Sequence, residues 1–207
     1  MKNYSQNNEQ EIILNYIKYK NLINGKLLEI GAFDGENFSN VRGILLTYPE
    51  WKATMVEPSS FCFSKLFEMY KEQQERIELI NAAVVLEQDL SKDKTLLEFY
   101  ESPLSAVSSS IKSNLDKFNY TSRKIYVPKI GIKELCEQFG QFQFISIDVE
   151  GYSAELALQD WFNPKDYGCM LIAIEPDNLQ TKLQEKFTKL GYTRIGYTGD
   201  NIIFGLI

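Results

Sequence analysis

Apolar runs of strand length alternate with segments of helical period along most of this chain, and that alternation is its strongest constraint. The runs are KLLEIG (26–31), KATMVEP (52–58), IELINAAVV (77–85), FQFISIDVEG (142–151) and CMLIAIEP (169–176). Near-continuous apolar strands are buried on both faces, which requires a parallel sheet with helices on either side. Helices are expected between them: one with Ile12, Ile13, Tyr16 and Ile17 on one face and ending at Asn24-Gly25, then 36–48, and one capped by Ser59 or Ser60 with Phe63, Leu66, Phe67 and Tyr70 inward. Further helices are expected at 132–139, 153–162 and 178–190. Two closing strands, YTRIGYT (192–198) and NIIFGLI (201–207), are joined by Gly199-Asp200, so they must be antiparallel. The expected fold is α/β: a doubly wound, mostly parallel, seven-stranded Rossmann-like sheet with a C-terminal antiparallel hairpin. Two more β-like stretches, TLLEFYE (95–101) and KIYVPKIGI (124–132), flank the serine-rich SPLSAVSSSIKSN (102–114).

A chain of 207 residues suits one domain, expected over 1–207, with 1–25 as an N-terminal helical segment. Its net charge of -6 argues against nucleic acid as a partner, because phosphate binding needs clustered Lys and Arg. No apolar run approaches the roughly 18 residues of a membrane span, and MKNYSQNNEQ lacks the apolar core of a signal peptide, so a cytoplasmic, membrane-free protein is expected. Cys62, Cys136 and Cys169 lie far apart without C-x-x-C spacing and read as reduced core residues. Histidine is absent, which removes the usual general base and metal ligand together.

In sheets of this kind ligands bind beyond the carboxyl ends of the strands. The residues gathered there are Glu29 to Gly35, Glu57-Pro58-Ser59, Asn81-Ala82-Ala83, Asp148 with Glu150-Gly151, and Glu175-Pro176-Asp177. Carboxylates and amides recur, and none of these is a cation. The first group reads E-x-G-x-x-D-G, in which Phe33 replaces the middle glycine of G-x-G-x-x-G and Asp34 adds negative charge where a pyrophosphate would sit. No G-K-[ST] follows, so a Walker loop is excluded too. A cofactor with a sulfonium, a ribose and no phosphate suits carboxylates, and S-adenosylmethionine (SAM) is that molecule. Glu57 is placed to accept the ribose hydroxyls, Asn81 and Ala82 to border adenine, and Gly31 and Gly35 to bring backbone against the methionine end. Glu29 or Asp34 would receive its ammonium. On this reading Gly31→Val excludes the cofactor and leaves the fold largely intact.

The chain resembles the FkbM-type methyltransferases, a branch of the class I SAM-dependent enzymes. The resemblance covers nearly the whole length: LLEIGAFDGENFSN, including Ser39-Asn40; MVEPS; INAAVV; VPKIGIKELCEQFG; and ISIDVEGYSAELAL with its I-D-V-E-G. Tyr4-Ser5-Gln6 is similar to the start common in one branch. Phe33, after Gly-Ala, departs from the small residue or Asn usual there, which implies altered packing beside the methionine moiety. The family implies methyl transfer to an oxygen, commonly a hydroxyl of a sugar or secondary metabolite, with Gly31, Asp34, Gly35, Asn40, Glu57, Pro58, Ser59 and Asp148 at the cofactor. The acceptor would be a small molecule or glycan, and the long polar segment 101–123 would form an acceptor-side loop.

Methylating a hydroxyl is faster when a base takes its proton. Without histidine that base must be a carboxylate, a Tyr, a Lys or water on a metal, and Asp148 and Glu150 are the favoured pair: positions two apart on a strand face the same way, and paired carboxyls raise each other's pKa. Asp148 and Glu175 leave Mg²⁺ open as a second variant. Glu150 is alternatively a cap for the following helix. Two other functions stand against the enzyme: a SAM-fold binding or assembly module without turnover, and an NAD-dependent oxidoreductase, which the glycine spacing disfavours. The acceptor, the pathway and the oligomeric state, homo-oligomers included, are left open.

Overall fold

A computed structural model describes residues 2–90, 95–102, 108–110 and 122–207. Its main sheet uses β1 (Lys26–Ile30), β2 (Lys52–Val56), β3 (Ile77–Ile80), β7 (Phe144–Ile147), β8 (Leu171–Ile174), β9 (Thr193–Tyr197) and β10 (Ile202–Gly205). Their order across the sheet is β3-β2-β1-β7-β8-β10-β9. The pairs β3-β2, β2-β1, β1-β7 and β7-β8 are parallel, and β10 runs antiparallel to both β8 and β9. The expected sheet and terminal hairpin are therefore present. The chain builds outward from β1 to β3, then returns to lay β7 on the other side of β1. That reversal makes the β1-β7 boundary a topological switch point, where such sheets bind ligands.

The helices divide between the two faces. On one side α1 (Glu9–Tyr19), α2 (Arg42–Thr47) and α3 (Ser60–Tyr70) bury Ile13, Ile17, Ile44, Leu45, Leu66 and Tyr70 against Leu27, Ala53, Met55 and Phe144. On the other, α5 (Ile132–Phe139), α6 (Ser153–Ala157) and α7 (Gln180–Lys189) bury Ile132, Leu135, Leu156, Leu183 and Phe187 against Leu28, Ile30, Ile145 and Ile172. Both faces of β1 are thus in core, as its uninterrupted apolar run requires. Ser59 caps α3 by accepting the Cys62 N–H at 3.1 Å.

Three expectations about elements need correcting. The run 77–85 is two strands: β3 stays in the main sheet, while β4 (Ala83–Val85) joins a second, three-stranded sheet of order β4-β6-β5 with β5 (Leu96–Glu101) and β6 (Arg123–Gly131). Asn81 makes the break, because its Nδ2 donates to the Glu57 and Pro58 carbonyls (2.7 and 3.1 Å) and turns the chain out of the sheet. The helix expected over 36–48 begins only at Arg42. Phe33 and Phe38 both hold left-handed φ (51° and 60°), and Asp34 accepts the Glu36 and Asn37 N–H groups, so the chain turns there. The helix expected over 153–162 ends at Ala157. A short turn, α4 (Glu87–Leu90), follows β4.

Candidate active site

Gly31 ends β1 at the switch point. Its N–H donates to the Val56 carbonyl (3.0 Å), while the Asp148 N–H donates to the Ile30 carbonyl (3.0 Å). With φ at 86° and the Asp148 carbonyl directly over its α-carbon, this position admits no side chain. A cavity of about 620 Å³ opens here, within the range of small-molecule sites. Its near wall carries Gly31, Ala32, Phe33, Glu57, Pro58, Ala82, Asp148 and Glu150; its far wall is the three-stranded sheet, with Val84, Val85, Leu97 and Phe99.

The cavity brings together Gly31, Glu57, Pro58, Ala82, Asp148 and Glu150 from the sequence-derived set. Glu29, Asp34, Gly35, Asn40, Ser59 and Asn81 lie behind its wall and shape it. Asp34 holds the turn described above, and its Oδ2 also accepts from Asn37 Nδ2 (2.7 Å). Gly35 is needed because α3 presses on it: a Cβ there would meet Leu66 at 2.6 Å and Tyr70 at 2.7 Å. Asn81 fixes the Glu57 and Pro58 carbonyls, and Ser59 both caps α3 and donates its N–H to Glu57 Oε1 (2.8 Å). Glu29 is buried on β1 with Ser39 Oγ donating to it (3.1 Å), and Asn40 Nδ2 donates to Ser146 Oγ (3.1 Å).

Electrostatics at this edge are dominated by buried acid. Glu57 is 6% exposed and its carboxylate accepts the Phe33 N–H (2.9 Å) as well as that of Ser59. Burial nevertheless pushes it up to about 8, with Glu101 and Asp34 adding repulsion. Burial likewise pushes Glu29 up to about 8 and Glu150 to about 7, the latter also opposed by Asp148, Asp177 and Asp200. Asp148 is raised by burial although Asn201 hydrogen-bonds to it, and Glu175 is raised by burial and by Asp148.

SAM is tested against these groups by the partners they still lack. Each Glu57 oxygen carries one backbone donor and keeps a lone pair for a ribose hydroxyl. Among the described residues Glu29 Oε2 and Asn40 Oδ1 are buried without a hydrogen-bond partner, though neither lines the cavity. A site poor in cations and rich in acceptors fits an adenosyl sulfonium with an ammonium group. Mg²⁺ lacks such support: Glu175 Oε2 accepts from Ser153 Oγ (3.1 Å), and among the described residues no three His, Cys, Asp or Glu side chains converge as metal ligands.

No protein-family model and no curated protein matches the sequence. Solved structures of similar fold include the Methanococcus jannaschii fibrillarin pre-rRNA processing protein (12% identity, 88% of this chain and 66% of that one, TM-score 0.45). A putative RNA methyltransferase from Pyrococcus horikoshii gives 8% identity, 96% and 83% coverage and a TM-score of 0.49. The precorrin-6y C5,15-methyltransferase of Geobacter metallireducens gives 10%, 94% and 83%, and 0.48. This chain spans about two thirds of the fibrillarin's length. At these identities none of the three assigns a role to a residue here.

Several cavity residues escape sequence reasoning. Lys129 and Tyr152 line it, and both bond to Asp89: Lys129 Nζ donates to its carbonyl (2.7 Å) and Tyr152 Oη to its carboxylate (2.9 Å). Tyr152 follows directly on Glu150-Gly151, a signal in plain view; Lys129 has no local signature. Ser108 to Ser110, by contrast, belong to the segment expected on the acceptor side, and they line the cavity, with Ser109 Oγ donating to the Glu150 carbonyl (2.9 Å). From the N-terminal segment Gln6 reaches the wall, and Lys2 pairs with Glu36 at 2.8 Å. Among the described residues no helix is long and apolar enough to cross a membrane.

Proposed function

We propose that this chain is a SAM-dependent methyltransferase that methylates a hydroxyl oxygen of a small molecule or glycan, such as a sugar or secondary-metabolite hydroxyl. One observation carries the reading: at the switch point, a side-chain-free backbone at Gly31 lines the same cavity as Asp148 and a buried Glu57 whose two oxygens each accept one backbone N–H. Bound SAM supplies an electrophilic methyl carbon whose sulfur leaves as a neutral thioether. Glu57 would hold the ribose hydroxyls, and Pro58 and Ala82 would border the adenosine.

Asp148, at the end of β7, would stand beside the cofactor, and Glu150 would meet the acceptor. Glu150, near 7, would take the proton of the acceptor hydroxyl, whose oxygen would receive the methyl group that SAM supplies when bound. A base whose pKa sits near neutral is poised for that transfer, and no histidine competes for the role. Ser109, tied to the Glu150 carbonyl, fixes the loop on which the base stands.

A thermal-shift screen with SAM, S-adenosylhomocysteine and NAD tests the reading. A ligand at a hundred times its Kd adds about 2.7 kcal/mol of stability. Stabilisation by the two adenosyl-sulfur compounds is expected; stabilisation by NAD alone would overturn it.

A further inference from the structure

The far wall of the cavity differs in character from the edge that faces Asp148. Val84, Val85, Leu97 and Phe99 make it apolar, and Lys129 stands among them. Of the described residues that line the cavity, Lys129 is the single cation, against Glu57, Asp89, Glu98, Asp148 and Glu150. It is half-buried, and among the described residues it forms no ion pair. Two other acids of the cavity lining have partners of their own. Glu98 pairs with Lys124 at 2.7 Å, and the Asp89 carboxylate accepts the Tyr152 hydroxyl at 2.9 Å. One ammonium hydrogen goes to the Asp89 carbonyl at 2.7 Å, which aims the group and leaves two donors.

A partly desolvated ammonium with two unused donors, set in an apolar wall, suits an anion on an apolar body. The same position repels nothing that SAM needs, because the sulfonium end belongs to the acidic edge at Asp148. We propose that the methyl acceptor carries a carboxylate or phosphate that Lys129 receives, with the acceptor's apolar face against Leu97, Phe99 and Val85. The inference rests on the methyltransferase reading for the word acceptor, though the anion subsite stands on its own geometry. It makes Lys129 a specificity-determining residue and narrows the substrates from hydroxyl compounds at large to anionic ones.

The test titrates three probes into the protein, with and without S-adenosylhomocysteine: para-hydroxybenzoate, para-hydroxyphenyl phosphate and the uncharged para-hydroxybenzamide. Parent, Lys129→Met and Lys129→Arg are compared by calorimetry. At least one anionic probe should bind the parent roughly tenfold or more tighter than the amide, lose that advantage in Lys129→Met, and regain most of it in Lys129→Arg. The better of the two anions identifies carboxylate or phosphate as the group recognised. Equal binding of anions and amide, no binding of either anion, or an unchanged preference in Lys129→Met would each overturn the proposal. If S-adenosylhomocysteine fails to bind while the Lys129-dependent preference persists, the methyltransferase reading falls and the anion subsite survives.

Discussion

Gly31 and Asp148 meet backbone to backbone: a Cβ built on Gly31 would lie 1.8 Å from the Asp148 carbonyl oxygen. The two strand ends that frame the switch point are in contact through the missing side chain. This changes what a substitution there tests. Gly31→Val, expected from the sequence to spare the fold, must instead push β1 from β7.

Gly31→Ala should therefore lose stability as well as any cofactor. The left-handed φ alone costs about 1–3 kcal/mol for a non-glycine residue, and the clash adds to it. Urea unfolding of the apo protein measures this, and an unchanged midpoint would contradict the packing described here.

Buried acids give the protein an unusual pH dependence. Glu29 and Glu57 move from 4.5 to about 8 and Glu150 from 4.5 to about 7 on folding, burial being the main cause. Between about 4.5 and 8 the folded chain holds more protons than the unfolded one, so stability is full below that window and falls as pH rises through it. The thermal midpoint of the apo protein should be higher at pH 5 than at pH 8. Glu29→Gln or Glu57→Gln should each flatten the slope; a midpoint that rises over this range would refute the assignment.

Asp148→Asn should separate function from stability. It removes a charge that burial and Asp177, Asp200 and Glu9 disfavour, so the apo protein should gain roughly 1 kcal/mol at pH 8 while turnover falls. Parental turnover in that variant would remove Asp148 from the reaction.

Glu101 ties the second sheet to the cofactor edge. Its carboxylate accepts from Ser59 Oγ (2.5 Å), the cap of α3, and from Arg123 Nε (2.6 Å), at the start of β6. Glu101→Ala leaves the buried Ser59 hydroxyl without its acceptor and should cost about 1–3 kcal/mol. It should also raise the acceptor's KM more than that of SAM; an equal effect on both would show that the clamp does not position the acceptor wall.

The main sheet was legible because its strands are buried on both faces, so their apolar runs mark them without help from neighbours. The hairpin at Gly199-Asp200 was legible from its turn. The split at Asn81 was not, since IELINAAVV reads as one run and only the side-chain bonds of Asn81 to the Glu57 and Pro58 carbonyls turn the chain. Strand ends pointed to Glu57, Asp148 and Glu150, all at the cavity. The same logic put Asp34 and Gly35 there, but each serves a local need, a turn and a close approach of α3. Lys129 was hidden because its significance comes from a second sheet whose pairing no local pattern encodes. The proposed acceptor-side loop at 101–123 falls largely outside the described residues, apart from Glu101, Ser102, Ser108 to Ser110, Ser122 and Arg123.

Calorimetric titration of S-adenosylhomocysteine into the parent and Glu57→Ala at pH 8 tests the central claim most directly. The account predicts one site in the parent and affinity about one to two decades weaker in the variant, the cost of an unpaired ribose diol. No heat from the parent, or equal affinity in a folded Glu57→Ala, would contradict it.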